Sequence, residues 1–152
     1  MKLALLAGTQ SGCGKTTVML ALLQYFKQQN QRITSFKAGP DFLDPLWHQL
    51  ITQRVCYNLD TRMVGLQQSR ELINKQQQQT DLALIEGVMG LFDGRTGVGQ
   101  DGSSADLAKG LQCPVILVVN AKGISGSIGA MVSGYCDYAE KMGVSISGII
   151  AN

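Results

Sequence analysis

A glycine-rich loop near the start of the chain lies between an apolar run and an amphipathic stretch. Residues 3–7 are continuously apolar, which is typical of a strand that is buried on both faces of a parallel sheet. The loop at residues 8–14 (GTQSGCG) follows at once, and residues 15–29 then repeat apolar side chains at helical spacing. A buried strand, a tight glycine turn and a helix together predict the first βα unit of a parallel sheet.

The loop also has the residue types that bind the phosphates of a nucleotide. In the pattern G-x-x-x-x-G-K-[ST], backbone N–H groups surround phosphate oxygens and the following helix N-terminus adds its positive end. Here five residues separate the first glycine from Gly14, one more than in the pattern. Lys15 is predicted to reach the β- and γ-phosphates and the Thr16 hydroxyl to bind Mg²⁺, whereas the alternative is a glycine turn that binds nothing. The predicted nucleotide-binding residues of this segment are Gly12, Cys13, Gly14, Lys15, Thr16 and Thr17.

Apolar runs and helical stretches alternate along the rest of the chain. Runs at residues 33–37, 82–85, 115–119 and 146–150 predict four more buried strands, and residues 127–142 have the spacing of a helix. The expected fold is therefore a three-layer, doubly wound α/β domain with a mostly parallel sheet, spanning residues 1–152. Residues 39–60 and 87–102 interrupt the alternation, and long loops of this kind are usually functional.

Charged side chains follow two of the predicted strands. Glu86 comes directly after the strand at 82–85, at the carboxyl edge where open α/β sheets bind ligands. Asp41 and Asp44 follow the strand at 33–37, which ends at Lys37. We predict that these carboxylates converge with Thr16 on Mg²⁺, which would neutralise charge on a transferring phosphoryl group. The predicted catalytic residues are Lys15, Asp41, Asp44 and Glu86, and the predicted metal ligands are Thr16, Asp41 and Glu86.

Several polar residues also have a structural interpretation. Asp44 is suited to capping a helix that opens at Pro45, an explanation that Asp41 lacks. His48 is interpreted as a packed helix residue in preference to a base. The hydroxyls of Ser103 and Ser104 are placed either to cap a helix or to bind a ligand. Asn152 either reads a purine ring through its amide or simply ends a strand.

The composition excludes several classes of protein. Thirteen basic and eleven acidic side chains give a net charge of +2, which is too small to indicate a nucleic acid or anionic lipid as partner. No apolar run approaches the roughly 20 residues needed to span a bilayer. The four cysteines have irregular spacing and the single histidine has no partner for a zinc site. We therefore predict reduced thiols in a cytoplasmic protein that binds neither nucleic acid nor a membrane.

Three segments outside the loop resemble one enzyme family. The five-residue loop spacing is similar to that of dethiobiotin synthetase-type phosphate-loop enzymes. The segments at residues 36–45 (FKAGPDFLDP), 58–60 (NLD) and 86–94 (EGVMGLFDG) resemble the cobyrinate a,c-diamide synthase family more closely. The resemblance extends over nearly the whole chain and implies the P-loop NTPase fold.

This resemblance implies a two-part glutamine amidotransferase of cobalamin biosynthesis. Its synthetase part uses ATP and Mg²⁺ to phosphorylate the a and c carboxylates of cobyrinic acid or a close tetrapyrrole acid, and a glutaminase domain supplies ammonia. Residues 1–152 would be the synthetase part, truncated at its C-terminus and without the glutaminase domain. By matched position, Asn152 would contact adenine. The residues that would meet the tetrapyrrole are Lys37, Asn58, Asp60, Ser103 and Ser104.

Two other functions remain open at this stage. A dethiobiotin synthetase-like carboxylating ligase explains the loop spacing but not the segments at 41–45 and 89–94. A ParA/MinD-type ATPase switch has a second lysine in the loop, where this chain has Gln10. The switch predicts ATP-dependent dimerisation, whereas the synthetase predicts ATP turnover that depends on a tetrapyrrole acid. A homodimer is compatible with either reading.

Overall fold

The computed structural model describes residues 1–94 and 101–152. Within these ranges six strands form one sheet with helices on both faces, which confirms the predicted three-layer α/β fold. The strands are β1 (Lys2–Gly8), β2 (Ile33–Ala38), β3 (Tyr57–Leu59), β4 (Leu82–Gly90), β5 (Val115–Val119) and β6 (Ile146–Ala151). The helices are α1 (Lys15–Gln28), α2 (Asp44–Thr52), α3 (Leu66–Gln76), α4 (Ser104–Leu111) and α5 (Ser127–Met142), with a π-helical turn at Thr61–Gly65 and a 3₁₀ turn at Gln77–Gln79.

The first strand lies inside the sheet. The strand order is β3-β2-β4-β1-β5-β6, and each neighbouring pair is parallel. Parallel strands need crossover connections, and the helices between the strands supply them. All the strands therefore end at one edge, and the glycine-rich loop after β1 lies at the middle of that edge. Open α/β sheets bind their ligands at this edge.

Alternate residues of β1, β4 and β5 pack into two separate cores. Leu5 of β1 and Ile85 of β4 are fully buried on the face that α3, α4 and α5 cover. Leu6 and Leu84 point the other way, where Met19 and Leu23 of α1 cover them. Because successive side chains of a strand alternate between faces, a strand covered on both faces is mostly apolar, and the buried Lys37 of β2 and Glu86 of β4 are exceptions.

The structure corrects the predicted elements in two places. The sequence indicates five strands, but β3 adds a sixth within residues 39–60. This strand has three residues, too few to show a periodicity, and its pairing with β2 defines it. The strand predicted at 82–85 continues to Gly90, with Met89 at a φ of +48°. Of the irregular stretch predicted at 87–102, residues 95–100 lie outside the described residues.

The state of the cysteines and the hydrophobicity of the helices can be compared with the sequence. All four cysteines are free thiols, and three of them (Cys13, Cys56 and Cys113) are buried. Among the helices within residues 1–94 and 101–152, none has the length and hydrophobicity needed to cross a membrane. The polar residues 76–79 are the solvent-exposed end of α3 and the turn after it, as their composition predicts.

Candidate active site

The glycine-rich loop needs glycine at two positions because of a positive φ, and at the second position also because of a close neighbour. Gly12 and Gly14 have φ values of +75° and +93°, a left-handed region that costs a residue with a Cβ about 1–2 kcal/mol. A Cβ on Gly12 would point into open space, whereas a Cβ on Gly14 would overlap the side-chain amide of Asn152. That amide donates a hydrogen bond to the Cys13 carbonyl over 3.0 Å. Asn152 comes directly after β6, and its side chain packs against the loop. The sequence predicted that this amide reads a purine ring, and the structure shows it in contact with the loop backbone.

The first two residues of α1 connect the loop to β4. The Nζ atom of Lys15 donates hydrogen bonds to the carbonyl of Met89 over 2.7 Å and to that of Gln10 over 3.4 Å. The Thr16 hydroxyl donates to Oε1 of Glu86 over 2.6 Å. The residues predicted to bind phosphate and metal are thus held against the carboxyl end of β4.

Glu86 is a carboxylate with no exposed surface. Its Oε1 atom accepts from Thr16 and lies 3.2 Å from Nζ of Lys37, and its Oε2 atom lies 2.7 Å from Nε2 of His48. Burial alone would raise the pKa of Glu86, but the hydrogen bond from His48, the charge of Lys37 and the hydrogen bond from Thr16 outweigh it and lower that pKa. The side chain is therefore an ionised, fully partnered acid in the interior.

Lys37 lies beside Glu86 because their strands pair in register. Lys37 of β2 is paired with Glu86 of β4 on one side and with Asn58 of β3 on the other. Its Nζ atom lies 2.6 Å from Asp44, 3.2 Å from Glu86 and 3.7 Å from Asp41. Burial lowers the pKa of Lys37, but the charges and hydrogen bonds of Glu86 and Asp44 raise it above its ordinary value. The predicted catalytic carboxylates therefore do come together, with a lysine ammonium between them.

The two aspartates after β2 make different contacts, and the one that supports the start of α2 is Asp41. Oδ1 of Asp41 accepts the backbone N–H groups of Leu43 and Asp44, over 2.9 and 3.2 Å, and so supports the turn into α2. Asp44 is the first residue of α2, and its carboxylate binds Lys37. Capping was predicted for Asp44 and not for Asp41. That expectation is wrong because the helix begins at Asp44 itself, one residue earlier than Pro45 suggests.

Lys37, Asp41, Asp44 and Glu86 form one cluster of charged side chains, and His48 is also part of it. The sequence did not predict this position for His48. It is a packed residue of α2 with no exposed surface, as predicted, but it packs against Glu86 and Cys56. The apolar neighbours Leu46, Trp47 and Leu50 are more than half exposed instead. Three apolar side chains of α2 therefore point to solvent while His48 is buried, and no signal in the sequence places His48 inside. The nearest clue is that His48 stands one helical turn after Asp44.

The predicted substrate residues of β3 and its following turn make local contacts. Nδ2 of Asn58 donates to the Asp41 carbonyl over 2.9 Å, so Asn58 adjoins the Lys37 cluster. Oδ1 of Asp60 accepts the backbone N–H groups of Arg62 and Met63 and caps the π-helical turn. The carboxylate of Asp60 is engaged in this cap and not in the cluster.

The two predicted serines hold α4 against β4. Ser103 is the N-cap of α4, and its hydroxyl accepts the backbone N–H of Asp106 over 3.1 Å. The Ser104 hydroxyl accepts the N–H of Val88 and donates to its carbonyl, over 2.9 and 3.1 Å. Both serines are buried. The capping role is confirmed for Ser103. Ser104 does not cap the helix but forms hydrogen bonds with both backbone groups of Val88 in β4.

The oxygen pair of Thr16 and Glu86 fits Mg²⁺. Mg²⁺ takes oxygen ligands and is commonly held by one or two protein side chains, with nucleotide phosphates and water completing its octahedron. A hydroxyl and a carboxylate oxygen 2.6 Å apart beside a phosphate-binding loop match that donor set. In residues 1–94 and 101–152 no group of three or more His, Cys, Asp or Glu side chains is placed to hold a metal by itself. Mg²⁺ bound here would take its remaining ligands from nucleotide phosphates and water.

The loop, its lysine and the strand-end carboxylate agree with a sequence match over almost the whole chain. Residues 4–152 match the family described as the CobQ/CobB/MinD/ParA nucleotide binding domain. The chain belongs to this family. Among solved structures, the kinase domain of the Escherichia coli tyrosine kinase ETK has a TM-score of 0.71 at 14% identity, and the match covers 99% of this chain and 67% of that one. A nucleotide-binding protein from Archaeoglobus fulgidus in complex with ADP has a TM-score of 0.54 at 13% identity, covering 99% and 66%. At these identities the two structures support the fold alone.

Within the family, the chain is most informatively compared with longer relatives. A cobyrinate a,c-diamide synthase from Syntrophotalea carbinolica is 42% identical over 147 residues, which make up 97% of this chain and 32% of the relative. The synthase from Salmonella typhimurium is 43% identical over 148 residues, with the same coverage of 97% and 32%. These matches confirm the resemblance stated from the sequence. The chain spans about a third of the length of the relatives it matches.

Proposed function

We propose that the chain is the ATP- and Mg²⁺-dependent synthetase part of an enzyme that amidates the a and c carboxylates of cobyrinic acid or a close tetrapyrrole acid. The observation that carries the proposal is Lys37, an ammonium buried beside the Thr16–Glu86 pair. A nucleotide-binding loop alone would serve any ATPase. A second cation, which contacts the same oxygen of Glu86 as the Thr16 hydroxyl, suits an enzyme that must bring an anionic acid to an anionic phosphate.

The chemistry needs two steps. A carboxylate oxygen of the acid attacks the γ-phosphorus of ATP, and the bond from that phosphorus to the bridging β–γ oxygen breaks to release ADP. The nitrogen of ammonia then attacks the acyl carbon, and the carbon–oxygen bond to the phosphate breaks. The first step turns a poor electrophile into one with a leaving group. Positioning and charge neutralisation supply most of the catalysis in such transfers.

Each residue of the cluster has a role in this scheme. The loop N–H groups and Lys15 would hold the β- and γ-phosphates, which requires Lys15 to leave the Met89 carbonyl. Thr16 and Glu86 would hold Mg²⁺, which supplies charge neutralisation on the transferring phosphoryl group when it is bound. Lys37 would orient the incoming carboxylate. Asp41 and Asp44 would keep Lys37 charged and directed at that position.

The rest of the whole protein belongs to the same proposal. A glutaminase domain outside this chain would supply the ammonia, as the greater length of the relatives allows. Four free thiols suit the reducing conditions of a cytoplasm. We also propose that the apposition of Asn152 to the loop places its amide near the nucleotide base.

The test is ATP turnover in the full-length protein with glutamine and Mg²⁺, with cobyrinic acid added or withheld. Glu86→Gln removes the charge while keeping the shape, and we expect it to lower the acid-stimulated rate by about 10²–10³-fold, as when a group that stabilises the transition state is removed. Asp137→Asn on the exposed side of α5 is the matched control and should leave the rate unchanged. Turnover that no tetrapyrrole acid stimulates, together with ATP-dependent dimerisation, would overturn the proposal in favour of a switch ATPase.

A further inference from the structure

The two oxygens of Glu86 have different sets of partners. Oε1 faces the loop, where the Thr16 hydroxyl and Lys37 approach it over 2.6 and 3.2 Å. Oε2 faces α2, where Nε2 of His48 lies 2.7 Å away. Among the described residues no other side chain forms a hydrogen bond with Oε2. The orientation of the carboxylate plane is therefore fixed from the side of α2 by His48.

Cys56 contacts the ring nitrogen of His48 that faces away from Glu86. Its Sγ atom lies 3.4 Å from Nδ1 of His48, and both residues are buried. Burial raises the pKa of the Cys56 thiol to about 11, so sulfur keeps its proton at neutral pH and can donate it to Nδ1. Because an ionised carboxylate only accepts hydrogen bonds, the contact of Nε2 with Glu86 requires that Nε2 carries an N–H. Sulfur, imidazole and carboxylate form one chain of hydrogen bonds that ends at the Thr16 hydroxyl.

We infer that His48 is a positioning residue that holds Glu86 with Oε1 turned toward the metal–nucleotide position. This rests on the proposed function, because it takes Glu86 and Thr16 as the metal-binding pair. Partners that orient a metal ligand in this way typically change metal affinity by about 10–100-fold when they are removed. Without His48, Glu86 would be free to rotate about its last bond and to bind Lys37 with both oxygens.

Two amide variants separate the two contacts of the ring. His48→Gln can place an amide nitrogen where Nε2 stands and still donate to Glu86. His48→Asn is shorter, so its amide reaches the position of Nδ1 near Cys56 but not Glu86. The pair is matched because both variants put a neutral amide into the same buried position.

The experiment measures binding of a fluorescent ADP analogue to the full-length protein as Mg²⁺ is titrated, with a parallel binding curve in EDTA. We expect His48→Asn to raise the Mg²⁺ concentration for half-maximal enhancement of binding by about 10–100-fold. The EDTA curve should not change, because the loop contacts do not involve His48. His48→Gln should remain within about threefold of the wild type, well short of the loss typical when such a partner is removed. The inference would be overturned if both variants needed the same Mg²⁺ concentration as the wild type. It would also be overturned if both variants needed an equally raised Mg²⁺ concentration.

The outcomes also separate this inference from the proposed function. If Glu86→Gln leaves the Mg²⁺ requirement unchanged, the metal-binding role of Glu86 fails and the inference fails with it. If Glu86→Gln raises the requirement and His48→Asn does not, only the inference is overturned. Should His48→Asn melt below the assay temperature, Cys56→Ala replaces it. That variant frees the ring, and a raised Mg²⁺ requirement would support the inference, whereas an unchanged one would overturn it.

Discussion

Replacing Lys37 with methionine removes the only ammonium that lies between the three carboxylates of the described cluster. Methionine is unbranched like lysine and only one atom shorter, so the packing around β2 changes little. The side chain of Lys37 is 5% exposed and that of Glu86 is 0% exposed, so water cannot replace the lost cation at Glu86. Asp44 is partly exposed and can turn to solvent. The penalty therefore falls mainly on Glu86.

The expected size of this penalty follows from the remaining partners of Glu86. Removing one partner of a buried ion pair costs about 3–5 kcal/mol. Glu86 keeps its contacts with His48 and Thr16, so we expect the lower end, about 3 kcal/mol. With a denaturant slope of about 2 kcal/mol per M of urea, the unfolding midpoint should fall by about 1.5 M.

The pH dependence has a definite sign. In the wild type the pKa of Glu86 is lowered, so the ionised side chain stabilises the fold at neutral pH. That stability is lost only as the pH falls below the ordinary pKa of a glutamate. In Lys37→Met we expect the pKa of Glu86 to be higher than in the wild type, because the cation no longer opposes the effect of burial. The variant then binds a proton more readily when folded, and its penalty should shrink as the pH is lowered from 7 to 5.

The assay is urea unfolding of the chain at pH 7 and pH 5. Lys75→Met, an exposed lysine of α3, is the matched control and should shift the midpoint little. The double variant Lys37→Met/Glu86→Gln should be more stable than Lys37→Met alone at pH 7, because no uncompensated charge is left in the interior. A Lys37→Met midpoint within about 0.3 M of the wild type at pH 7, far below the shift expected from an unpaired buried charge, would refute the reasoning.

Two further predictions concern the loop and the opposite edge of the sheet. Gly12→Ala should cost about 1 kcal/mol of unfolding free energy from its φ of +75°, and Gly14→Ala should cost more, because its Cβ also overlaps Asn152. Equal costs in urea unfolding would contradict the close approach of Asn152. Hydrogen bonds from Arg32 lower the pKa of Asp81 from 3.8 to about 2, so the pair should stabilise the fold above pH 3.8 and lose that effect as the pH falls toward 2. The difference in Tm between the wild type and Asp81→Asn should therefore become smaller as the pH falls from 3.8 toward 2. A difference that does not change with pH would show that the ion pair does not cause it.

The sequence predicts the parts of this fold that local patterns encode. Strand β1 is a continuous apolar run because both of its faces are covered, and the loop after it has glycine where the backbone takes a positive φ. Glu86 could be placed at the ligand-binding edge because it ends such a run. These features depend on neighbours in the chain, and a pattern of residues can therefore indicate them.

The remaining features depend on contacts between distant residues. Strand β3 has three residues and is defined by pairing with β2, about twenty residues earlier in the chain. The inward position of His48 follows from how α2 is docked, and the exposed Trp47 beside it shows that the hydrophobicity of a single residue does not predict which side faces inward. Asp41, and not Asp44, supports the start of α2, and this depends on a one-residue difference in where the helix begins. Sequence reasoning could name these residues but not their contacts.

The central claim is that this site activates a carboxylate by transferring a phosphoryl group to it. The most direct test uses cobyrinic acid labelled with ¹⁸O in its carboxylates, incubated with the full-length protein, ATP, Mg²⁺ and glutamine. Because the leaving phosphate retains one oxygen of the attacking carboxylate, the account predicts one ¹⁸O atom in the inorganic phosphate released for each amide formed. Amide formation with unlabelled phosphate would contradict it.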